Sequence, residues 1–324
     1  MKLFQWLRDW TLIIAILTGI VGYFAGVALP VSDSIKRNIL SAVELVQPVL
    51  IFFMLFLTFV RINPHDIRPC RWHVWLLAVQ GGLFALLGLV LVLLPHSGLR
   101  IVLEGAMICL ICPTATAAAV ITRKLGGDMA HITTYTILIN LLAAMLIPAL
   151  IPWVHPNPSL DVWNSAMLIL GKVFPLLLMP LVLAQLVRKL MPGLRDRIMR
   201  YPDLSFYMWA VALTLAIGVT ARSIVHSNIG VSTQMWLVAV SLLSCIFQFW
   251  LGRKIGAHYH DMVTAGQALG QKNTVFAIWL GYTFFSPITA IAGGFYSIWH
   301  NVFNSYQLYC HEHRRNNEAV SPQK

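Results

Sequence analysis

The chain has 324 residues, of which 58% are hydrophobic and 11% charged, and its mean hydropathy is +0.73. This composition excludes an ordinary soluble globular domain and is typical of a polytopic membrane protein. The net charge of +11 does not indicate a nucleic-acid partner, because the basic residues lie in short segments between apolar runs and not on one basic domain.

Apolar runs of about 20 residues, the length needed to cross a bilayer, recur along the whole chain. We place membrane spans at residues 10–29, 39–60, 72–94, 99–125, 129–154, 162–190, 204–224, 231–255, 262–285 and 288–309. The sequence therefore predicts an all-α protein with ten transmembrane helices in a lipid bilayer.

The positions of the basic residues predict the orientation of these spans, because Lys and Arg favour cytoplasmic loops. With the N-terminus inside, the inner segments hold most of the 23 Lys and Arg, and the outer segments hold only Lys36, Arg37, Arg100 and Arg222. We expect both termini in the cytoplasm and a location in the plasma membrane, as in a bacterial inner membrane. The first span has the charged start of a signal peptide, but no small-residue cleavage site follows it, so we expect it to be retained.

Two of the predicted spans are interrupted near their centres by polar or helix-weakening residues. The fourth span carries Cys-Pro-Thr-Ala-Thr at 112–116, and the ninth carries Gly-Gln-Lys-Asn-Thr at 270–274. In lipid, an interrupted helix is tolerated only where protein or a water-filled cavity surrounds the break. Two breaks in corresponding places indicate the shared binding site of a transporter. In the alternative interpretation, Pro113 only kinks a continuous helix.

A polar connector at residues 155–159 divides the ten spans into five plus five. An odd number of spans in each half makes the second half enter the membrane upside down, and the two breaks come at similar distances from the start of each half. This pattern is typical of inverted-topology repeats. We expect a first repeat at 1–154, a second repeat at 160–309 and a cytoplasmic tail at 310–324.

The breaks carry side chains suited to an anionic solute. A broken helix exposes amides at the start of its second half, and these amides attract anions. Thr114 and Thr116 could add hydroxyl donors at the first break, and Asn273 and Thr274 an amide and a hydroxyl at the second. For each residue the alternative is that its side chain satisfies its own frayed backbone.

Lys272 lies at the centre of the ninth span, where a lysine costs roughly 2.5–3.5 kcal/mol on insertion scales. Its ammonium could pair with an anionic substrate, occupy the place of a bound cation, or exchange a proton and so couple transport to protons. The alternative is that neighbouring carbonyls hold the ammonium only to stabilise the crossing.

Three motifs resemble the bile acid:sodium symporter family. They are Cys112-Pro-Thr-Ala-Thr-Ala-Ala-Ala-Val120 followed by Gly127-Asp128, Gly270-Gln-Lys-Asn-Thr274, and Ser297-Ile-Trp-His-Asn301. The resemblance extends over all ten spans. It implies a panel domain and a core domain, with spans 4 and 9 crossing in the core. It also implies alternating-access uptake of an organic anion, such as a bile acid, pantoate or another carboxylate, often with two sodium ions.

The resemblance assigns roles to single positions. Thr116 and Asn273 match residues that line the family's substrate site, and Gln80, Thr136 and Gln271 stand at positions of its ion sites. Other ion-site positions carry side chains with no oxygen ligand, namely Ala118, Ala119, Ile132, Ala268 and Lys272. Sodium needs several oxygen ligands in place of its hydration shell, so we expect both sodium sites to be lost.

We therefore expect a secondary transporter of a small organic anion that works without sodium, with Lys272 replacing the ions, and with proton coupling open. One alternative is a sodium-coupled symporter with altered ligands. A second, of another class, is a membrane sensor or scaffold that has lost transport. We expect no enzyme, because the chain has no H-E-x-x-H, G-x-S-x-G or phosphate-binding loop. We expect no cofactor or metal site, and the five cysteines are expected to be packing residues.

Overall fold

The computed structural model describes residues 10–320 apart from 31, 202 and 228. The first nine residues of the expected first repeat and the last four of the expected tail lie outside this part. The described helices are α1 (Thr11–Ala28), α2 (Asp33–Val60), α3 (Arg71–Leu93), α4 (Arg100–Ile111), α5 (Ala118–Lys124), α6 (Met129–Val154), α7 (Val162–Leu177), α8 (Met179–Leu190), α9 (Pro192–Met199), α10 (Leu204–Val225), α11 (Val231–His258), α12 (Met262–Gly270), α13 (Thr274–Phe284) and α14 (Ala290–Val320). The described part is thus all-helical, as predicted.

Seven helical segments in the described part are long and apolar enough to cross a membrane. They are Thr11–Ala28, Ser34–Val60, Arg71–Leu93, Met129–Val154, Val162–Leu190, Leu204–Val225 and Val231–His258. Each coincides with a predicted span. The remaining three predicted spans are the two broken ones, which form pairs of shorter helices, and the last helix, α14.

The start of α2 lies several residues before the predicted start of the second span. The prediction followed hydropathy and therefore left out Lys36 and Arg37. The helix begins earlier because Ser32 is its N-cap and accepts a hydrogen bond from the amide of Ile35. A capping side chain starts a helix whether or not the first turn is apolar.

The sixth predicted span forms two helices, α7 and α8, with Leu178 between them. Two prolines flank this residue, Pro175 inside α7 and Pro180 in the first turn of α8. Each proline removes an amide donor from the helical ladder, so the rod bends here.

The helices form two groups by contact. One group contains α1, α2 and α7 to α10, and the other contains α3 to α6 and α11 to α14. The groups meet where α13 packs against α2 and α10, where α14 packs against α10, and where α6 packs against α7. Both broken spans belong to the second group.

Close approach of two backbones positions the second broken span. Gly252 and Gly256 of α11 face α12, where an added Cβ at either glycine would lie 2.5 Å from an atom of Ala265. Only glycine allows this distance, so α12 lies directly on the backbone of α11. The chain then reaches its second break in a fixed position.

Candidate functional site at two broken helices

The first break covers residues 112–117, between α4 and α5. Pro113 has no amide hydrogen, and its ring disfavours helical geometry at the residue before it. Cys112 accordingly has φ −53° and ψ 133°, so the chain leaves the helix axis there. The helix ends at this point, and the interpretation of Pro113 as a mere kink is wrong.

The second break covers residues 271–273, between α12 and α13. Gly270 ends α12 against the ring of Phe249, where a Cβ would lie 2.4 Å from the ring carbons. Asn273 starts α13, because its Oδ1 accepts a hydrogen bond of 3.2 Å from the amide of Phe276. A glycine without room for a side chain and an N-cap asparagine therefore define the two ends of this break.

The two breaks lie against each other and are joined through their backbones. Thr114 and Lys272 form an antiparallel bridge. On either side of it, the amide of Ala115 donates to the carbonyl of Gln271 over 2.9 Å, and the amide of Asn273 donates to the carbonyl of Pro113 over 2.8 Å. The broken spans therefore cross where both are interrupted, as the sequence predicted, and each break satisfies backbone groups of the other.

The C-terminal end of α4 points its free carbonyls into this crossing. A helix leaves its last carbonyls without intrahelical donors. Here side chains from three other segments supply the donors: Gln248 Nε2 to Cys109 O (3.2 Å), Lys272 Nζ to Leu110 O (3.3 Å), and Gln80 Nε2 to Ile111 O (3.3 Å) and Cys112 O (3.0 Å). Four successive carbonyls are thus capped by protein N–H groups.

The Lys272 side chain is enclosed, with 1% of its surface exposed. In the described part of the chain no carboxylate forms an ion pair with it. Its ammonium instead lies at the C-terminal end of α4, where the helix dipole places partial negative charge. The Lys272 side chain therefore ends at a helix C-terminus and not at an acidic partner.

The C-terminal end of α12 is capped in a similar way. Thr114 Oγ1 donates to the carbonyl of Ala268 over 2.7 Å, and the hydroxyl of Tyr296 donates to the carbonyl of Gly270 over 2.8 Å. Each broken helix thus has its first half closed by side chains of the other elements.

The predicted solute-binding residues are all at or beside the crossing, but not all are free. Thr114 is buried and uses its hydroxyl on α12. Asn273 uses its oxygen as the α13 cap, which is the self-satisfying alternative for that atom, while its Nδ2 is buried without a partner. Thr274 is buried, and Thr116 is partly exposed.

The three positions of the expected ion sites separate in the structure. Gln80 belongs to α3, and its side chain reaches the C-terminal end of α4. Its Oε1 accepts a hydrogen bond of 2.9 Å from the hydroxyl of Tyr135. Gln271 lies in the second break, with its Oε1 buried and unpaired. Thr136 donates its hydroxyl to the carbonyl of Ile132 in its own helix over 2.8 Å, so it is not drawn into the crossing.

Sequence reasoning missed several polar residues that complete the site. Gln248 of α11 and Tyr296 of α14 hydrogen-bond each other over 3.1 Å and cap both helix ends. His300 of α14 accepts the amide of Lys272 on its Nδ1 over 3.3 Å. A usable signal existed in α14, where polar residues recur at a spacing of three or four and so share one helix face.

α14 runs antiparallel to the second broken span, and its polar face contacts that span. We call this contact the α12–α14 seam. Gly281 packs on Ala290 at one end, and Gln267 Nε2 donates to Asn304 Oδ1 over 3.0 Å at the other. The polar residues that line the seam on its two sides are Gln267, Gln271 and Asn273, and Ser297, His300, Asn304 and Gln307.

The seam contains many polar atoms with no hydrogen-bond partner in the described part of the chain. They are Gln267 Oε1, Gln271 Oε1, Asn273 Nδ2, Ser297 Oγ, Asn304 Nδ2 and Gln307 Nε2. A buried unpaired polar group costs roughly 1–3 kcal/mol. Six of them would together cost about as much as the whole stability of a typical domain, roughly 5–15 kcal/mol.

Other buried charges lie away from the crossing. Glu104, near the start of α4, pairs with Arg100 Nε and with His155 Nε2, both at 2.9 Å. His131 Nδ1 lies 2.7 Å from Asp261 Oδ2, before α12 begins. Within the described residues, no group of three or more His, Cys, Asp or Glu side chains is placed to hold a metal ion.

Comparison with known families gives one match over most of the chain. The family model described as the SBF-like CPA transporter family matches residues 9–311, a range that includes both breaks and the α12–α14 seam. No protein with a curated description matches the chain.

Proposed function

The chain belongs to the SBF-like CPA transporter family and is an integral multi-pass secondary transporter, and we propose that it moves a small organic anion by alternating access without sodium. The family match agrees with the resemblance to the bile acid:sodium symporters in the sequence. Membership of a transporter family also suggests a function that is not enzymatic. The substrate class, the ion dependence and the mechanism are our proposal.

The main support for sodium independence is that side-chain N–H groups cap the C-terminal end of α4. A sodium ion at a helix C-terminus is held by carbonyl and side-chain oxygens. At this helix the carbonyls of Leu110, Ile111 and Cys112 already accept N–H groups of Lys272 and Gln80. The nitrogen atoms stand where a cation would otherwise bind, so this set of side chains does not fit sodium.

The proposed role of Lys272 follows from the same contact. Its ammonium supplies a fixed positive charge at the negative end of α4. In this position it takes the electrostatic role of a bound cation. The charge is enclosed in protein, so its field toward a nearby anion is screened less than in water. Lys272 then favours an anion at the crossing without touching it in this conformation.

The proposed anion site uses the polar atoms that the crossing leaves unpaired. Asn273 Nδ2 is a buried donor without a partner among the described residues, and the partly exposed Thr116 adds a hydroxyl. Thr274 also belongs to the proposed site. Thr114 has a structural role, because the hydroxyl of Thr114 donates to the carbonyl of Ala268. A carboxylate would satisfy these donors.

The ten-span architecture of two inverted repeats, 1–154 and 160–309, with a connector at 155–159 and a tail at 310–324, belongs to the same proposal. What supports it is the position of the two breaks, one in each proposed half, which meet at an antiparallel bridge between Thr114 and Lys272. A panel and core division, cytoplasmic termini and a bacterial inner membrane complete the proposal.

Uptake into proteoliposomes tests the proposal. We expect uptake of a carboxylate at the same rate when sodium is replaced by potassium, and loss of uptake in Lys272→Gln. The matched control is Lys172→Gln, which removes an exposed lysine of another span. Strong sodium dependence of the natural chain would refute the proposal in favour of an altered symporter.

The identity of the anion requires a screen before the uptake assay. A ligand that binds the folded state raises its apparent stability, so thermal shifts with a panel of carboxylates identify candidates. A compound that shifts the melting temperature but never accumulates in vesicles would favour the sensor or scaffold alternative.

A further inference from the structure

The α12–α14 seam contains a row of polar side chains that the proposed anion site does not use. Along α14, Ser297, His300, Asn304 and Gln307 recur at a spacing of three or four residues, so they lie on one face of the helix. Asn304 contacts Gln267 of α12, His300 contacts the backbone of Lys272 in the second break, and Ser297 and Asn304 are almost fully buried. The row runs from the second break toward the end of α14.

The unpaired atoms of the seam cannot satisfy one another by a simple change of rotamer. Gln267 and Asn304 share one hydrogen bond and leave one oxygen and one nitrogen without partners. Turning both amides over exchanges donor and acceptor and still leaves two atoms unpaired. A small molecule between the helices would supply the partners that this pair lacks.

The chemistry of these atoms identifies that molecule. Gln267 Oε1 and Gln271 Oε1 accept hydrogen bonds, Asn304 Nδ2 donates them, and Ser297 Oγ can do both. A cation would suit only the acceptors, and an anion only the donors. Water donates and accepts, and buried waters typically bind groups of this kind.

The end of the seam that lies farthest from the second break, at Gln307, opens toward solvent. Gln307 is partly exposed and accepts a hydrogen bond of 3.1 Å from Arg253. One turn further, His311 lines a cavity of about 530 Å³ together with Arg123 and Lys124 of α5. The cavity is also lined by Val120, Leu308 and Glu312, so the polar row ends one helical turn from an open cavity with charged walls.

We propose that the α12–α14 seam holds a file of water molecules that enters from the cavity at His311 and reaches the second break at Ser297. The file keeps the polar groups of the break hydrated from the membrane face where α14 ends. This route goes beyond the proposed anion transport and does not depend on which solute is carried or on sodium.

Silver ions test the route, because Ag⁺ passes where water passes and reacts with thiolates, which form only where water reaches the thiol. The full chain, with its five native cysteines replaced by alanine, carries either Ser297→Cys or Asn304→Cys. The matched control is Ala292→Cys, which is equally buried on α14 but lies in an apolar cluster. Thiols left unreacted after brief exposure of vesicles to Ag⁺ are counted by alkylation in denaturant.

We expect silver to protect the thiols of Ser297→Cys and Asn304→Cys at least about tenfold faster than that of Ala292→Cys, and only from the side where α14 ends. Equal, slow protection of all three would overturn the water file. Anion uptake is measured separately, so a chain that fails to transport can still give the labelling result.

A second measurement needs no variant. An experimental structure of the natural chain that resolves ordered solvent is expected to contain waters bonded to Gln267, Gln271 and Asn304. A seam whose amides pair with each other and enclose no water would overturn the proposal, even if the cysteine variants did not fold.

Discussion

The ammonium nitrogen of Lys272 lies 3.3 Å from the carbonyl oxygen of Leu110, so the lysine of the second break ends on the last turn of α4. The contact joins the two broken spans by side chain as well as by backbone. It also places the amine of Lys272 at the C-terminal end of α4, where the helix dipole is negative. A side chain of one broken span thereby caps the interrupted helix of the other.

Lys272→Met distinguishes a transport role from a purely structural one. The hydrogen bond to Leu110 and the helix dipole together stabilise the ammonium by roughly 2–4 kcal/mol, which about offsets the 2.5–3.5 kcal/mol that a central lysine costs. The carbonyl of Leu110 would lose its donor, at roughly 1–3 kcal/mol, so we expect a fall in stability no larger than this, with anion uptake lost in protein that is still folded. Thermal melting in detergent and vesicle uptake measure the two effects. A parallel loss of both would assign Lys272 to stability alone.

Gln80→Leu removes the donor of two carbonyls at the end of α4. Ile111 O and Cys112 O would then be buried without partners, at roughly 1–3 kcal/mol each. We expect a clear fall in melting temperature. Tyr135→Phe is the graded control, because it removes only the hydroxyl bonded to Gln80 and should cost about 0.5–1.5 kcal/mol. An equal effect of both variants would contradict the double capping by Gln80.

Gly270→Ala tests the packing that ends α12. The new Cβ would lie 2.4 Å from the Phe249 ring, and overpacking of this kind typically costs about 1–3 kcal/mol. Gly82→Ala is the matched control, because no atom lies within 4 Å of the Cβ it would add. In the double variant Gly270→Ala with Phe249→Leu, the loss should be smaller than the sum of the two single losses. Additive losses would mean that the ring is not the obstacle.

The sequence was sufficient for the coarse fold because hydrophobic length alone identifies a membrane span. It also located the breaks, since Pro113 and the polar run after Gly270 interrupt helices by local chemistry. Lys272 was informative because a central lysine in lipid is costly. These three signals are local, so a single sequence carries them.

The partners of these residues could not be predicted in the same way. Gln248 lies 139 residues from Cys109, the carbonyl that it caps, and no local pattern connects them. Asn273 illustrates the other difficulty, because its type suits both an anion ligand and an N-cap, and only coordinates assign Oδ1 to the cap. The polar residues of α14 recur at helical spacing in the sequence, but the residues that they contact in the second broken span are known only from the structure.

Asp128 makes the stability of α6 depend on pH outside the membrane span. Its carboxylate caps α6 and accepts the amides of Ala130 and His131 at 2.6 and 3.0 Å. Partial burial raises its pKa, but these amides and the nearby His131 ring outweigh burial, so the pKa lies below the usual 3.8. A lowered carboxyl pKa stabilises the fold above the usual value, and this stabilisation is lost as pH falls through the folded pKa.

Asp128→Asn isolates this contribution, because asparagine also caps a helix but does not ionise. We expect the melting temperature of the natural chain, relative to Asp128→Asn, to be constant near neutral pH and to fall once the pH drops below 3.8. Other carboxylates titrate in both proteins and cancel in the difference. Asp128→Ala, which removes the cap, should cost about 0.5–2 kcal/mol at neutral pH. A difference that grows as the pH falls would show that the carboxylate is stabilised less in the folded chain than in the unfolded one.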